Sequence, residues 1–178
     1  MNHLDRLWAL ADNLTTSGRT KAELFGECGL YLTRPLVRFD YFCTPLNTLT
    51  FASTGGDGVH YGLLSFSGVP SDQIPIVMTV PMSDQNNIVV AETLEEFLGL
   101  GYYVGWFSLE QLAYDFDEAI SYFNQPDSET WPEKEEELRA IRKALQIKHA
   151  ALSFERIRHL NEKYLSSLLL PDSAAHGG

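Results

Sequence analysis

Residues 49–66 have the sequence LTFASTGGDGVHYGLLSF, and this stretch decides the fold. Two β-prone segments, Leu49–Ala52 and Val59–Phe66, flank the turn Thr54–Gly58, in which glycine permits the positive φ angles of a tight turn. This order predicts an antiparallel β-hairpin. A phosphate-binding loop would need a lysine and a helix after the glycines, whereas here a strand follows. The turn is therefore interpreted as structural, with contact to a protein partner as the alternative.

Two further β-prone segments, Ile74–Val80 and Asn87–Ala91, follow the hairpin after short breaks. Strands joined by short turns pair in antiparallel fashion, because a parallel pair needs a long crossover between its strands. The sequence therefore predicts a sheet over about residues 46–91.

Apolar residues at helical spacing lie on both sides of the sheet region and predict helices there. C-terminal helices are expected over about residues 131–170, ending before Pro171. The whole pattern predicts an α+β fold, with an antiparallel sheet of at least four strands flanked by N- and C-terminal helices. One domain is expected over residues 1–171, followed by a frayed tail over residues 172–178. The apolar face of the first helix consists of Leu4, Leu7, Trp8, Ala11 and Leu14.

Helix N-termini are predicted from a capping pattern, in which a serine or threonine stands three residues before a glutamate or glutamine. The pattern predicts helix starts at Thr20, Thr93, Ser108 and Thr130. Pro132 fits the last of these, because proline is tolerated in the first helical turn, where its missing N–H costs no hydrogen bond.

Composition narrows the class of protein. The chain has 178 residues, of which 44% are hydrophobic and 21% charged, as in a globular domain rather than a disordered chain. Its two cysteines, Cys28 and Cys43, form neither a disulfide framework nor a metal-binding spacing. No N-terminal signal segment and no apolar run of about 18 residues is recognisable. We therefore expect reduced thiols, a cytoplasmic location and no contact with a membrane.

Negative charge is concentrated in the middle of the chain, whose formal net charge is −11. Residues 92–137 contain 13 acidic residues and one lysine, a net charge of −12. Residues 138–178 contain seven basic and three acidic residues, a net charge of +4. Direct binding of nucleic acid is not expected, because phosphate groups require lysine and arginine. A basic protein is the more suitable partner.

Aromatic residues are interleaved with these acidic residues, mostly between positions 102 and 123. Aromatic side chains supply much of the binding energy at protein interfaces, and carboxylates accelerate association with a basic partner. Packing in the core is the alternative role for the same aromatic residues. The predicted partner-binding residues are Glu92, Glu95, Glu96, Tyr102, Tyr103, Trp106, Glu110, Asp115, Asp117 and Glu118.

Enzymatic chemistry is not indicated by the sequence. The sequence contains no GxSxG motif for a catalytic serine, and neither cysteine has a histidine nearby in the sequence. Asp57 and His60 are candidates for an acid–base pair or for two metal ligands, but no other histidine has the spacing that would complete a metal site. We predict no catalytic residue, no cofactor and no metal. A small-molecule enzyme that uses Asp57 and His60 is kept as an alternative.

Four segments of the central region together resemble the SUKH superfamily. They are residues 49–61 (LTFASTGGDGVHY), 75–82 (PIVMTVPM), 88–91 (IVVA) and 93–101 (TLEEFLGLG). In that superfamily a turn containing glycine and aspartate joins two strands, two further strands follow, and a short helix with a Phe-Leu pair ends the pattern. The resemblance covers about residues 46–114. In the superfamily these strands usually follow a helix and a segment with a proline, then an aromatic residue, then asparagine-glycine. That pattern is not evident in residues 15–45, so the resemblance implies a divergent branch of the superfamily.

SUKH proteins are mostly bacterial immunity proteins that bind and neutralise toxins, often nucleases, and the superfamily also includes fungal regulators such as those of yeast cell-wall synthesis. The resemblance implies an α+β fold, no cofactor and no enzymatic activity. It further implies an immunity protein that neutralises a basic protein toxin through its acidic surface. An intracellular regulatory or scaffold protein of the same fold is the alternative, and the oligomeric state is left open.

Overall fold

The computed structural model describes residues 2–15, 23–65, 73–126 and 130–172. Within these ranges the chain forms five α-helices and five strands, together with short 3-10 helices at Gly26–Cys28, Phe107–Ala113 and Leu165–Ser167. The main elements are α1 (His3–Leu14), β1 (Tyr31–Val37), β2 (Thr48–Ser53), β3 (His60–Leu64), β4 (Ile76–Thr79), β5 (Asn87–Ala91), α2 (Leu94–Leu100), α3 (Phe116–Phe123), α4 (Pro132–Leu145) and α5 (Phe154–Tyr164).

The strands form one antiparallel sheet in the order β1-β2-β3-β4-β5. Each strand pairs with the strand that precedes it in the chain, as expected when no long crossover separates them. Helices come before and after the sheet in the chain, so the predicted α+β fold is confirmed. Across the described ranges, no helix combines the length and the apolar character needed to cross a membrane.

Strand β1 is not predicted from the sequence, and the sheet therefore begins earlier than residue 46. Pro35 lies within this strand and has no N–H to donate to a neighbour, which weakens the strand pattern. The register between β1 and β2 shifts between Leu32 and Val37, so Pro35 falls where the pairing is interrupted. Because β1 is an edge strand, it tolerates a proline that a central strand would exclude.

The capping pattern correctly predicts one helix start. The Thr93 side chain accepts a hydrogen bond from the Glu96 N–H and caps α2. Ser108 instead lies inside a 3-10 helix, and Trp131 rather than Thr130 precedes α4, so these two predictions are wrong. The residues named in the predictions that lie outside the described ranges are Thr20, Phe66 and 173–178.

The core includes one face of the sheet, α2 and the segment that follows α2. Tyr61 of β3 is fully buried, and its hydroxyl donates a hydrogen bond to the Trp106 carbonyl at 2.7 Å. The Trp106 indole N–H donates in turn to the Phe97 carbonyl at 2.9 Å. The Phe97 ring packs against the rings of Tyr61 and Trp106. Glycine is required at Gly101, because a Cβ atom there would collide with the Trp106 indole.

Helix α5 covers the outer edge of the sheet at β5. The Asn161 amide takes the place of a neighbouring strand: its Nδ2 donates to the Val89 carbonyl at 3.0 Å, and its Oδ1 accepts from the Val89 N–H at 3.0 Å. These bonds satisfy backbone groups through which an edge strand could otherwise pair with another chain. Ile157 and Leu160, on the apolar side of the same helix, are buried. Asn161 therefore fixes α5 to the sheet and closes the sheet at this edge.

We expect Asn161→Ala to lower the free energy of unfolding by about 1–3 kcal/mol, because the buried Val89 would lose two hydrogen-bond partners. His159→Ala is the matched control. His159 is exposed on the same helix, and its loss should change the free energy of unfolding by less than about 0.5 kcal/mol. Urea unfolding of the two variants measures the difference, and equal midpoints would contradict the role assigned to Asn161.

Candidate functional site

The predicted acidic contacts do not form a single surface. Glu92 and Glu96 are ion-paired within the chain, whereas Glu95 is exposed on α2, where His3 Nε2 lies 3.9 Å from its carboxylate. A second group lies on and beside α3. Its members are Glu110, Asp115, Asp117 and Glu118.

Arg156 of α5 binds both paired carboxylates. Its Nε lies 2.7 Å from Glu96 Oε1, and its Nη2 lies 2.9 Å from Glu96 Oε2 and 3.2 Å from Glu92 Oε2. Lys163 Nζ and the Tyr164 hydroxyl donate to Glu92 Oε1. Hydrogen bonds from Lys163 and Tyr164, with a smaller contribution from Arg156, lower the pKa of Glu92 to about 2. This internal pairing argues against Glu92 and Glu96 as contacts for a partner, because their charge is already compensated.

The predicted aromatic contacts are packed within the chain to different extents. Trp106 is 1% exposed and belongs to the core, so the prediction that it contacts a partner is wrong. Tyr102 and Tyr103 are half-buried, and both rings pack against His149. The Arg142 guanidinium also lies 5.0 Å from the centre of the Tyr102 ring. Much of the surface of these two tyrosines is therefore covered by other residues of the chain and could not contact a partner.

Asp57 of the β2–β3 turn lies close enough to Glu110 for their charges to interact. Burial and the charge of Asp57 raise the pKa of Glu110. Desolvation and the charges of Glu110 and Asp57 raise the pKa of the Tyr114 hydroxyl. Charges shift a pKa in this way only when they are close, so the turn and the 3-10 helix Phe107–Ala113 lie next to each other.

The start of α3 positions the remaining carboxylates. The Asp115 side chain accepts a hydrogen bond from the Glu118 N–H at 3.0 Å and caps the helix. Asp117 and Glu118 occupy the first turn, where the helix dipole favours negative charge, and both are exposed. A cleft of about 390 Å³ between the 3-10 helix and α3 is lined by Gln111, Glu118 and other residues of both elements. The cleft places Glu118 and Tyr122 of α3 beside Gln111 of the 3-10 helix, so the 3-10 helix and α3 share one surface.

We define this surface as the acidic–aromatic face. None of its five carboxylates forms an ion pair with another side chain in the described part of the chain. Phe107 and Tyr114 are 56% and 55% exposed. Sequence reasoning selected neither aromatic residue, since nothing in the pattern separates exposed rings from buried ones. The face consists of Asp57, Phe107, Glu110, Tyr114, Asp115, Asp117, Glu118 and Tyr122.

Comparisons of the chain with protein-family models, with curated proteins and with solved structures found no match. The resemblance to the SUKH superfamily stays a prediction. The face has to be interpreted from its own chemistry.

Asp57 and His60 do not converge as an acid–base pair. His60 is 1% exposed, and both of its ring nitrogens bind other groups: Nδ1 lies 2.7 Å from the Gly58 carbonyl oxygen and Nε2 lies 3.1 Å from Thr44 Oγ1. Asp57 is exposed and has a φ angle of 49°, in the left-handed region. Among the described residues, no group of three or more His, Cys, Asp or Glu side chains is arranged to hold a metal ion.

Both cysteines are free and buried. The Cys28 N–H donates a hydrogen bond to Glu137 Oε2 at 3.1 Å. Burial and the adjacent Glu137 raise the pKa of the Cys28 thiol, and burial raises the pKa of the Cys43 thiol. Such thiols are weak nucleophiles, because the reactive species is the thiolate.

An apolar cavity of about 440 Å³ lies between α1, β1, β3 and the start of α2. Its volume is within the range of small-molecule pockets. Two of its polar lining residues, Asn2 and Thr93, cap α1 and α2, and two others, His3 and Glu95, lie against each other. A ligand would have to displace these contacts to be oriented, so the cavity is a weaker candidate than the acidic–aromatic face.

We expect Arg156→Met to lower the free energy of unfolding by about 1–3 kcal/mol near pH 7, because Glu92 and Glu96 would lose their shared partner. Arg158 forms an exposed ion pair with Glu162 on the same helix and provides the control. Arg158→Met should change the free energy of unfolding by less than about 0.5 kcal/mol. Urea unfolding of both variants measures the two effects.

The effect of Lys163→Met, which removes the largest contribution to the lowered pKa of Glu92, should depend on pH. The pKa of Glu92 is lowered from 4.5 to about 2 in the folded chain, so its stabilising contribution is complete above about pH 4.5 and is lost as the pH falls toward 2. The difference in unfolding free energy between the variant and the unmodified chain should therefore shrink over this range. A difference that stays constant down to about pH 2.5 would argue against the network.

Proposed function

We propose that this chain is a non-enzymatic immunity protein of the SUKH type, located in the bacterial cytoplasm, that binds and neutralises a cationic toxin such as a nuclease. The acidic–aromatic face is its contact surface. The observation that carries the proposal is the position of carboxylates such as Asp57 and Glu110, which have no ion-pair partner in the described part of the chain, beside exposed aromatic rings.

Charge complementarity supports a basic protein as the partner. A nuclease needs a basic surface to bind phosphate, and an acidic inhibitor can occupy that surface. Opposite charges accelerate association, and added salt weakens this attraction. Phe107 and Tyr114 supply large exposed rings, the kind of side chain that anchors protein interfaces.

The same face is unsuited to nucleic acid. Single-stranded nucleic acid also stacks on aromatic rings, but its phosphates need nearby lysine or arginine. The segments that form the face, residues 54–58 and 107–123, contain neither. Aromatic rings surrounded by carboxylates therefore favour a protein with exposed lysines or arginines.

The proposal is tested with the product of the neighbouring gene, expressed as the candidate toxin in bacteria. The unmodified chain should protect the cells and should inhibit the purified toxin at a one-to-one ratio. A face variant that removes four charges but keeps side-chain shape should lose about 100-fold in affinity at low salt, and with it the protection. Asparagine suits the left-handed backbone at position 57, and Asp115 is kept because it caps α3. The four substitutions are Asp57→Asn, Glu110→Gln, Asp117→Asn and Glu118→Gln.

The control variant carries the same change of charge at four exposed positions elsewhere, and it should protect as well as the unmodified chain. Full protection by the face variant would contradict the proposed contact surface, and equal losses in both variants would indicate an effect of net charge alone. Binding to several host proteins, without inhibition of the neighbouring gene product, would favour the regulatory or scaffold alternative. The control substitutions are Glu133→Gln, Glu136→Gln, Glu155→Gln and Glu162→Gln.

A further inference from the structure

His60 is the first residue of β3 and lies fully inside the protein, directly after the turn that carries Asp57. Its Nδ1 is 2.7 Å from the Gly58 carbonyl oxygen, which can only accept a hydrogen bond, so the ring carries its proton on Nδ1. Its Nε2 is then an acceptor, and Thr44 Oγ1 donates to it at 3.1 Å. The two nitrogens of one neutral ring thus connect two segments, residues 39–44 and the turn.

The ring is also packed between two aromatic side chains of the segment 39–44. The centre of the His60 ring lies 5.1 Å from that of Phe39 and 5.6 Å from that of Tyr41. Tyr41 covers the turn as well, because a Cβ atom at Gly58 would lie only 2.7 Å from its ring. His60 therefore occupies the point at which the segment and the turn meet.

Among the described residues, no acidic side chain forms an ion pair with the His60 ring. Burial lowers the pKa of His60, and the hydrogen bond to the Gly58 carbonyl opposes this effect only in part. Its partners on β2 and β4, Ser53 and Thr79, are uncharged. Arg38 and Asp40 pair with each other at 3.2 Å. The titratable or charged side chains of the segments packed against the ring are Arg38, Asp40, Tyr41, Cys43 and Asp57.

A proton on Nε2 would reverse its hydrogen bond with Thr44, so that Thr44 Oγ1 accepts and its hydroxyl proton loses its buried acceptor. The proton would also place a charge in the protein interior. The charged ring is favoured only when residues 39–44 separate from the turn and admit water. We propose that His60 is an acid-sensitive latch that holds residues 39–44 against the turn Gly55–Gly58, and that acid opens the latch and weakens binding at the acidic–aromatic face. The effect on binding rests on the proposed function, whereas the opening does not.

Proton linkage gives the sign and size of the effect. The pKa of His60 is lowered in the closed form, so the closed form is most stable above about pH 6.5, the ordinary histidine value, and loses stability as the pH falls below it. If the ring takes up its proton only in the open form, the open population rises about tenfold between pH 7.5 and pH 5.5.

Hydrogen–deuterium exchange on the chain alone tests the latch. After correction for the intrinsic effect of pH, amides of residues 39–44 and 55–60 should exchange about tenfold faster at pH 5.5 than at pH 7.5. Amides of α4 should show no such change, which separates local opening from general acid destabilisation. His60→Gln, which does not titrate, should abolish the pH dependence, and the control His159→Gln, at an exposed position on α5, should preserve it.

Equal corrected exchange at the two pH values, or the same pH dependence in His60→Gln, would overturn the latch. If His60→Gln does not fold, the tautomer of the His60 ring is read from the ¹⁵N NMR spectrum of the unmodified chain. A neutral ring protonated on Nε2 at pH 7.5 would contradict the proposed hydrogen bonds and overturn the latch. Affinity for the neighbouring gene product, measured at both pH values, tests the link to binding. If exchange is faster at pH 5.5 but the chain does not bind the neighbouring gene product at either pH, the latch is supported and the proposed function is contradicted.

Discussion

The ion pairs of Arg156 hold the C-terminal part of the chain on the sheet. Helix α5 buries the side chains of Ile157, Leu160 and Tyr164, a small apolar surface for a helix of 11 residues. Arg156 adds a two-point contact to Glu96 and a third to Glu92, in a site that is only partly exposed to water. With α5 fixed in this way, the edge of β5 is covered, and the charges of Glu92 and Glu96 are compensated within the fold.

Charge counted along the chain therefore differs from the charge that the surface presents. Residues 92–137 have a net charge of −12, but Glu92, Glu96 and Glu135 are paired with basic residues from the region 138–178. Glu92 and Glu96 lie 60 or more positions from their partner Arg156, and no local pattern reveals such a contact. The sequence predicts correctly that the region is acidic. Only the tertiary structure separates the compensated carboxylates from those without a partner.

Local patterns predict the parts of this fold that local interactions form. The turn Thr54–Gly58 and the cap at Thr93 depend on residues a few positions apart, and both are recognisable in the sequence. Strand β1 depends on pairing with β2 across an intervening loop, and Pro35 conceals it. Trp106 lies in an acidic and aromatic stretch that resembles a binding surface, yet it is buried. The nearby Gly101, where no side chain fits, is the signal that indicates close packing.

The proximity of Asp57 and Glu110 works against the stability of the folded chain when both carboxylates are ionised. Burial and the charge of Asp57 raise the pKa of Glu110, so the ionised pair is less favourable here than two separated carboxylates would be. A lysine or arginine of a partner, placed between them, would remove this repulsion. Glu92 has the opposite pKa shift because its charge is already satisfied within the chain, and a partner would add little. For these two residues the direction of the pKa shift agrees with the contacts: Glu92 is paired within the chain, whereas Glu110 forms no ion pair among the described residues.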